Sequence, residues 1–155
     1  MIFKNQKQIE KFLLDKSRLA LMNAQDKVYS IIKQFVRQFY SEYDPIKYER
    51  TYQLLESLVQ SRIISDGKGY KAEIYFDVDG LRYVTGAKPS GEQVMEAAEQ
   101  GMHGAIGQSN GVDLKYIDSG AGTGVWNDPK MYLDSEAINI LVDMLRDEGI
   151  SVKKG

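Results

Sequence analysis

Between Gln6 and Tyr43 the chain holds neither glycine nor proline, so no residue there forces a helix to stop. Ile9, Leu13, Ala20, Ala24, Val28, Ile31, Phe35 and Phe39 follow one another at intervals of three, four or seven. That spacing places them on one stripe of a 3.6-residue helix. The stripe lapses at the charged run Asp15-Lys16-Ser17-Arg18, the one place where the pattern allows a break. The pattern predicts a single helix over about 6–41, roughly 50 Å long at 1.5 Å per residue. Such a rod outruns the core of a small domain, and one end is expected to project towards a partner.

Asp44-Pro45 ends the rod. Proline disfavours helix at the residue before it and suits the first turn of a new one, with Asp44 as cap. A second helix is predicted over about 45–60 on the stripe Tyr48, Tyr52, Leu55, Leu58 and Val59. The period then drops to two. Ala72, Ile74, Phe76 and Val78 point one way and Lys71, Glu73, Tyr75 and Asp77 the other, as in a strand with one wet face. Strands are predicted at about 61–65, 70–78 and 81–85, with Asp79-Gly80 as a two-residue hairpin turn. They would form a three-stranded antiparallel meander.

The stretch 86–127 is a Gly-rich loop. Eight of the fourteen glycines fall between Gly91 and Gly124. Helix formers occupy 92–100, and 112–117 is a further strand candidate. Long connections of this kind are commonly functional. The last helix is predicted over about 130–148, capped by Asp134 or Ser135, with the stripe Ala137, Ile138, Leu141, Val142 and Leu145. Gly149 stands where a helix C-terminus wants a left-handed residue. Residues 150–152 could add a short strand. The fold class is therefore α+β: a long N-terminal helix and a C-terminal helix packed on a small antiparallel sheet, with a long Gly-rich loop. At 155 residues the chain suits a single domain, 1–155.

Composition narrows the function. There is no cysteine and one histidine, which removes disulfides, thiolate metal sites and a cysteine nucleophile. No apolar run approaches the ~20 residues of a membrane span, and no secretory h-region opens the chain. No membrane partner is expected. The net charge of −2 argues against a dedicated, sequence-specific nucleic-acid binder. That charge is divided: residues 1–62 carry 11 basic and 7 acidic side chains, and residues 63–155 carry 9 and 15. A basic first half and an acidic second half would attract copies head to tail.

No motif carries chemistry. His103 has Ser109 and Asp113 nearby in sequence, but no Gly-x-Ser-x-Gly elbow accompanies them. Asp77-Val78-Asp79-Gly80 mimics the start of a calcium loop, yet Lys88 occupies the position where a bidentate Glu is needed. Gly120-Ala121-Gly122-Thr123-Gly124 lacks the Lys-Ser/Thr of a phosphate loop. No catalytic, metal or cofactor residue is predicted, and the chain is expected not to be an enzyme. Ten tyrosines and one tryptophan instead suggest contact surfaces. The interface candidates are Lys27, Lys33, Arg37, Tyr40, Tyr43, Tyr48, His103, Trp126, Asp143 and Asp147. The alternative is a small enzyme or ligand-binding protein using 86–127 as a lid.

The segment 43–58 (Tyr-Asp-Pro-Ile-Lys-Tyr-Glu-Arg-Thr-Tyr-Gln-Leu-Leu-Glu-Ser-Leu) follows a long helix. With His103-Gly104, Gly124-Val125-Trp126 and Glu136-Ala137-Ile138-Asn139-Ile140-Leu141 before Gly149-Ile150, it resembles small head–tail joining proteins of long-tailed bacteriophages and prophages. The resemblance implies an α+β neck or tail-completion protein in the virion, made in the bacterial host cytoplasm. It implies a homo-hexamer ring whose partners are a connector or head-completion protein and a tail-tube or tail-terminator protein. It carries over no catalytic residues.

Overall fold

The computed structural model describes residues 3–42, 52–65, 67, 69–81, 90–100, 108–109, 112–113 and 124–152. It is α+β, with a long N-terminal helix, a C-terminal helix and small antiparallel β pairs. The chain forms two compact units, one of Met1–Ser30, Gln60–Ile74 and Leu133–Gly155, the other of Ile31–Val59 and Tyr75–Tyr132.

Helix α1 spans Gln6–Ser41, 36 residues without interruption. The charged break at 15–18 does not break it, because every residue there is compatible with a helix. Asn5 caps it: its Oδ1 accepts the backbone N–H of Gln8 at 3.0 Å.

In the first unit, Ala20 and Ala24 of α1 are buried with Val142. Here β2 (Ile64–Ser65) pairs antiparallel with β3 (Tyr70–Lys71), Ile64 opposite Lys71 and Ser65 opposite Tyr70. The backbone N–H of Ser61 bonds Glu73 O at 2.9 Å. Between those two points, residues 62 and 63 face residue 72 alone, a one-residue bulge. The bulge frees backbone groups, and side chains take them up. Glu73 N–H donates to Ser61 Oγ at 2.8 Å, and the buried Gln25 amide donates to Ser61 O at 3.1 Å and Glu73 O at 3.0 Å. Gln60 Nε2 adds a bond to Asp26 at 3.0 Å.

In the second unit the core gathers Ile32, Val36 and Phe39 of α1 with Leu54, Leu58, Leu81, Val94, Ala97, Ala98, Val125 and Pro129. Leu54 lies on α2 (Gln53–Glu56), which runs into β1 (Leu58–Gln60). β1 pairs with β4 (Ile74–Phe76). A 3-10 turn, Val78–Gly80, leads away from β4. Helix α3 (Gly91–Glu99) starts at a capping box: Ser90 Oγ accepts Gln93 N–H, and Gln93 Oε1 accepts Ser90 N–H. Gly91 seats this helix on the turn, where a Cβ would lie 1.8 Å from Val78 O. Strands β5 (Gln108–Ser109) and β6 (Val112–Asp113) form an antiparallel pair.

Helix α4 spans Asn127–Asp147. It ends in a Schellman turn, with Gly149 at φ 82°, Gly149 N–H bonded to Arg146 O and Ile150 N–H to Leu145 O.

Several expectations are corrected. The helix predicted to reach residue 60 gives way to strand at Leu58, because Leu58 and Val59 pair with the neighbouring strand. Residues 61–65 and 70–78 are not two continuous strands, since the bulge divides them. Asp79-Gly80 lies in a 3-10 turn and not in a two-residue hairpin. The predicted 81–85 strand falls, after Leu81, outside the described residues, and Leu81 itself is a buried non-strand residue. Within 86–127, α3 falls on the helix formers of 92–100 and β6 on the start of the strand candidate 112–117, while its partner β5 is unexpected. The last helix begins at Asn127, so Asp134 and Ser135 are interior residues and not caps. Residues 150–152 form no strand. The alternation over 71–78 holds: 72, 74, 76 and 78 are half-buried, and 71, 73, 75 and 77 exposed.

Candidate interaction surface

On α1, residues 37, 40 and 41 share one face by their i, i+3, i+4 spacing. Arg37, Tyr40 and Ser41 line a shallow recess of about 220 Å³, completed by Tyr52 and Leu55 around the start of α2. The Tyr40 ring meets Tyr52 at 5.0 Å and Phe39 at 5.6 Å between centroids. Tyr52 has φ 57°, the left-handed region. A bulky residue there is an outlier costing about 1–3 kcal/mol, and such strain clusters at functional sites. The exposed Arg37 guanidinium has no hydrogen-bond or ion-pair partner among the described residues. Ser41 Oγ donates to Gln38 O at 2.7 Å and is engaged as a helix back-bond. A guanidinium beside two phenol rings suits an acidic or aromatic group of a partner.

A second aromatic site surrounds the start of α4. Trp126 meets Phe76 edge-on at 5.7 Å and is about a third exposed. Glu99, at the end of α3, holds this corner. Its Oε2 accepts Trp126 N–H at 2.9 Å and Asn127 N–H at 3.4 Å, and its Oε1 accepts Asn127 Nδ2 at 2.5 Å. Its backbone carbonyl accepts Gly124 N–H at 3.1 Å. A carboxylate here satisfies first-turn donors and opposes the positive helix end. Gly124, at φ 70°, adopts the left-handed backbone that glycine favours, and a Cβ there would oblige the Asp128 carboxylate to turn aside. The two ends of the excursion 101–123 are thus fastened together.

The predicted residues separate as follows. Arg37 and Tyr40 come together in the recess, and Trp126 anchors the second site. The Lys27 side chain is exposed without a partner among the described residues, and Lys33 is half-buried and engaged. Asp143 is exposed and pairs with Arg146 at 3.3 Å on its own helix. The Asp147 side chain is exposed at the end of α4 without a partner among the described residues. Tyr43, Tyr48 and His103 lie outside the described residues. Sequence reasoning missed Glu99 and Gln25. Tyr52 stands on the predicted stripe of the second helix, and what the pattern did not show is its left-handed backbone angle. Among the described residues no cluster of three or more His, Asp or Glu could hold a metal ion, and no helix is long and apolar enough to cross a membrane.

A family model, YomN, matches residues 5–147. The chain belongs to the YomN family. That family is named after a Bacillus phage or prophage gene product, and this YomN-family protein is phage-related. No curated protein and no solved structure matches it.

Proposed function

We propose that this YomN-family protein is a structural component of the virion neck, a tail-completion or head–tail joining protein without enzymatic activity. The observation that carries the reading is the match over 5–147 to a phage-named family. Two features support the finer role. The segments 43–58 and 136–150 resemble head–tail joining proteins, and α1 leaves Ile9, Leu13 and Leu14 exposed, as an assembly subunit would. In this reading copies join as a ring of about six, each contact pairing two different faces and closing by rotation. The ring sits between the connector and the tail tube after assembly in the host cytoplasm. The Arg37–Tyr40–Tyr52 recess and the Trp126 corner meet the partners.

Deleting the gene from the phage or prophage tests this. Electron microscopy of lysates is expected to find filled heads and free tails unjoined, with joining restored by supplying the protein in trans. Mass spectrometry of purified particles is expected to detect the protein. Normal joined particles from the deletion strain, lacking the protein, would overturn the proposal.

A further inference from the structure

In the second unit the described cations are Lys33, Arg37 and Lys130. Lys33 and Lys130 are engaged, and the Arg37 guanidinium alone has no partner among the described residues. It lines the recess together with Tyr40, Tyr52 and Leu55. Glu42 and Glu56, the described acids nearest to it in sequence, make no ion pair with it, and Glu42 is taken by Gln38. An open guanidinium beside apolar lining suits one carboxylate with an aromatic or apolar body next to it.

The same unit presents that pair of groups at β4. Of the exposed aromatic side chains among the described residues, Tyr52, Trp126 and Tyr132 each pack against another ring. Tyr75, 48% exposed, has no ring contact and no hydrogen bond to its phenol among the described residues. Asp77 stands two residues on, on the same wet side of the alternation and about 7 Å along the chain. It too is exposed, and its carboxylate makes no bond to the 3-10 turn that it precedes. Arg37 and Tyr40 are likewise neighbours on α1, with about 5–6 Å between Cβ atoms. The two pairs match in kind and in spacing.

We propose that a second copy of this chain docks its Tyr75 and Asp77 side chains in the Arg37–Tyr40–Tyr52 recess. The Asp77 carboxylate accepts from the Arg37 guanidinium, and the Tyr75 ring packs on the two phenol rings. Charge and ring together select the second copy as occupant. Both complementary groups are present on the same chain, and neither is used within it among the described residues. A nucleic-acid strand fits less well. Residues 31–59 and 75–132 carry 8 basic and 12 acidic side chains, so a run of phosphates would meet net repulsion. This proposal rests on the reading that copies of the protein assemble, and names the next copy as the partner that the recess meets.

The test uses the full chain in analytical ultracentrifugation and light scattering, from low micromolar to about 0.5 mM, at low and ~0.15 M salt. Wild type is expected to associate, less so as salt rises. Arg37→Glu and Asp77→Arg change exposed, unpaired side chains and should fold normally by circular dichroism. Each is expected to weaken association by a factor of about ten or more, because like charges then meet at the contact. Tyr75→Ala tests the ring alone and is expected to weaken it by a factor of about three to ten. Mixing the two charge variants is the decisive step. Between unlike variants every acid again meets a base, so association is expected to return, as it is in the doubly exchanged Arg37→Glu/Asp77→Arg chain. Wild type that stays monomeric throughout, folded variants that associate like wild type, or a mixture no better than either variant alone would each overturn the proposal. Monomeric wild type that binds a labelled oligothymidylate, with binding lost in Arg37→Glu, would give the recess to nucleic acid and likewise overturn it. None of these outcomes bears on whether the protein is present in virions, which the deletion experiment decides separately.

Discussion

Replacing Glu99 with Ala removes the acceptor for Trp126 N–H, Asn127 N–H and Asn127 Nδ2 at one stroke. Losing an N-terminal cap costs about 1 kcal/mol, within a range of about 0.5–2. Losing a carboxylate near the positive helix end adds about 0.3–1 kcal/mol. Pro129, buried in the first turn, has no N–H and needs no acceptor, so the cost stays confined to Trp126 and Asn127. The sum is about 1.5–2 kcal/mol. For a chain of this size, that lowers the melting temperature by about 3–8 °C. Urea unfolding followed by fluorescence suits the measurement, since Trp126 is the only tryptophan and lies at the perturbed corner. Glu99→Gln keeps an acceptor oxygen but loses the charge, and is expected to lose about half as much. A Glu99→Ala protein within about 0.3 kcal/mol of wild type would refute the argument that this carboxylate fastens α3 to α4.

Gly91→Ala places a Cβ on a backbone carbonyl, which cannot rotate away, so α3 must shift off the 3-10 turn. A loss of at least about 2 kcal/mol is expected in urea unfolding. Gln25→Met keeps the side-chain volume but takes both amide bonds from the bulge and leaves Ser61 O without its donor. Stability is expected to fall by about 1–3 kcal/mol, with faster hydrogen exchange at Ser61.

The periodic signals found the elements whose side chains divide cleanly between core and water. Ala20, Ala24 and Phe39 lie buried on the predicted face of α1, and 71–78 alternates as expected. Local chemistry also marked Gly149, where only a residue at ease in the left-handed region completes the Schellman turn. Other local signals were present but outweighed. Ser90-Gly91-Glu92-Gln93 is a capping box that starts α3 inside the glycine-rich stretch. Asn110-Gly111, between β5 and β6, is the dipeptide that favours tight hairpins. Asn127-Asp128-Pro129 starts α4 seven residues before the expected caps, with Pro129 in the first turn. Residues 58–60 carry helical spacing, yet their backbone groups pair across to β4. The Glu99 clasp was not legible, because its partners lie 27 and 28 residues away and no periodicity encodes such a bond. The exposed Ile138 shows the limit of pattern: an apolar stripe says that a face will be covered, not whether the cover is the same chain.

The division of charge along the chain is spent in two ways. Lys16 and Glu148, one from the basic half and one from the acidic half, meet at 2.8 Å inside the first unit, with side chains 33% and 18% exposed. Attraction first read as between copies is here satisfied within one copy. Lys11, one turn and a residue earlier on α1, is exposed and has no such partner among the described residues. The two lysines should therefore respond differently. Lys16→Ala leaves a largely covered carboxylate unpaired and is expected to cost about 0.5–1 kcal/mol of stability, since the pair is only partly shielded from solvent. Lys11→Ala should leave unfolding within about 0.5 kcal/mol of wild type, as a surface change away from any packed contact does. In the proposed assembly its effect falls on association, which it should weaken at low salt and barely alter at high salt. Urea unfolding and sedimentation of the same two variants separate the roles. Equal effects of Lys11 and Lys16 on stability would mean that the charges of α1 act together on the fold of one copy, leaving none reserved for a neighbour.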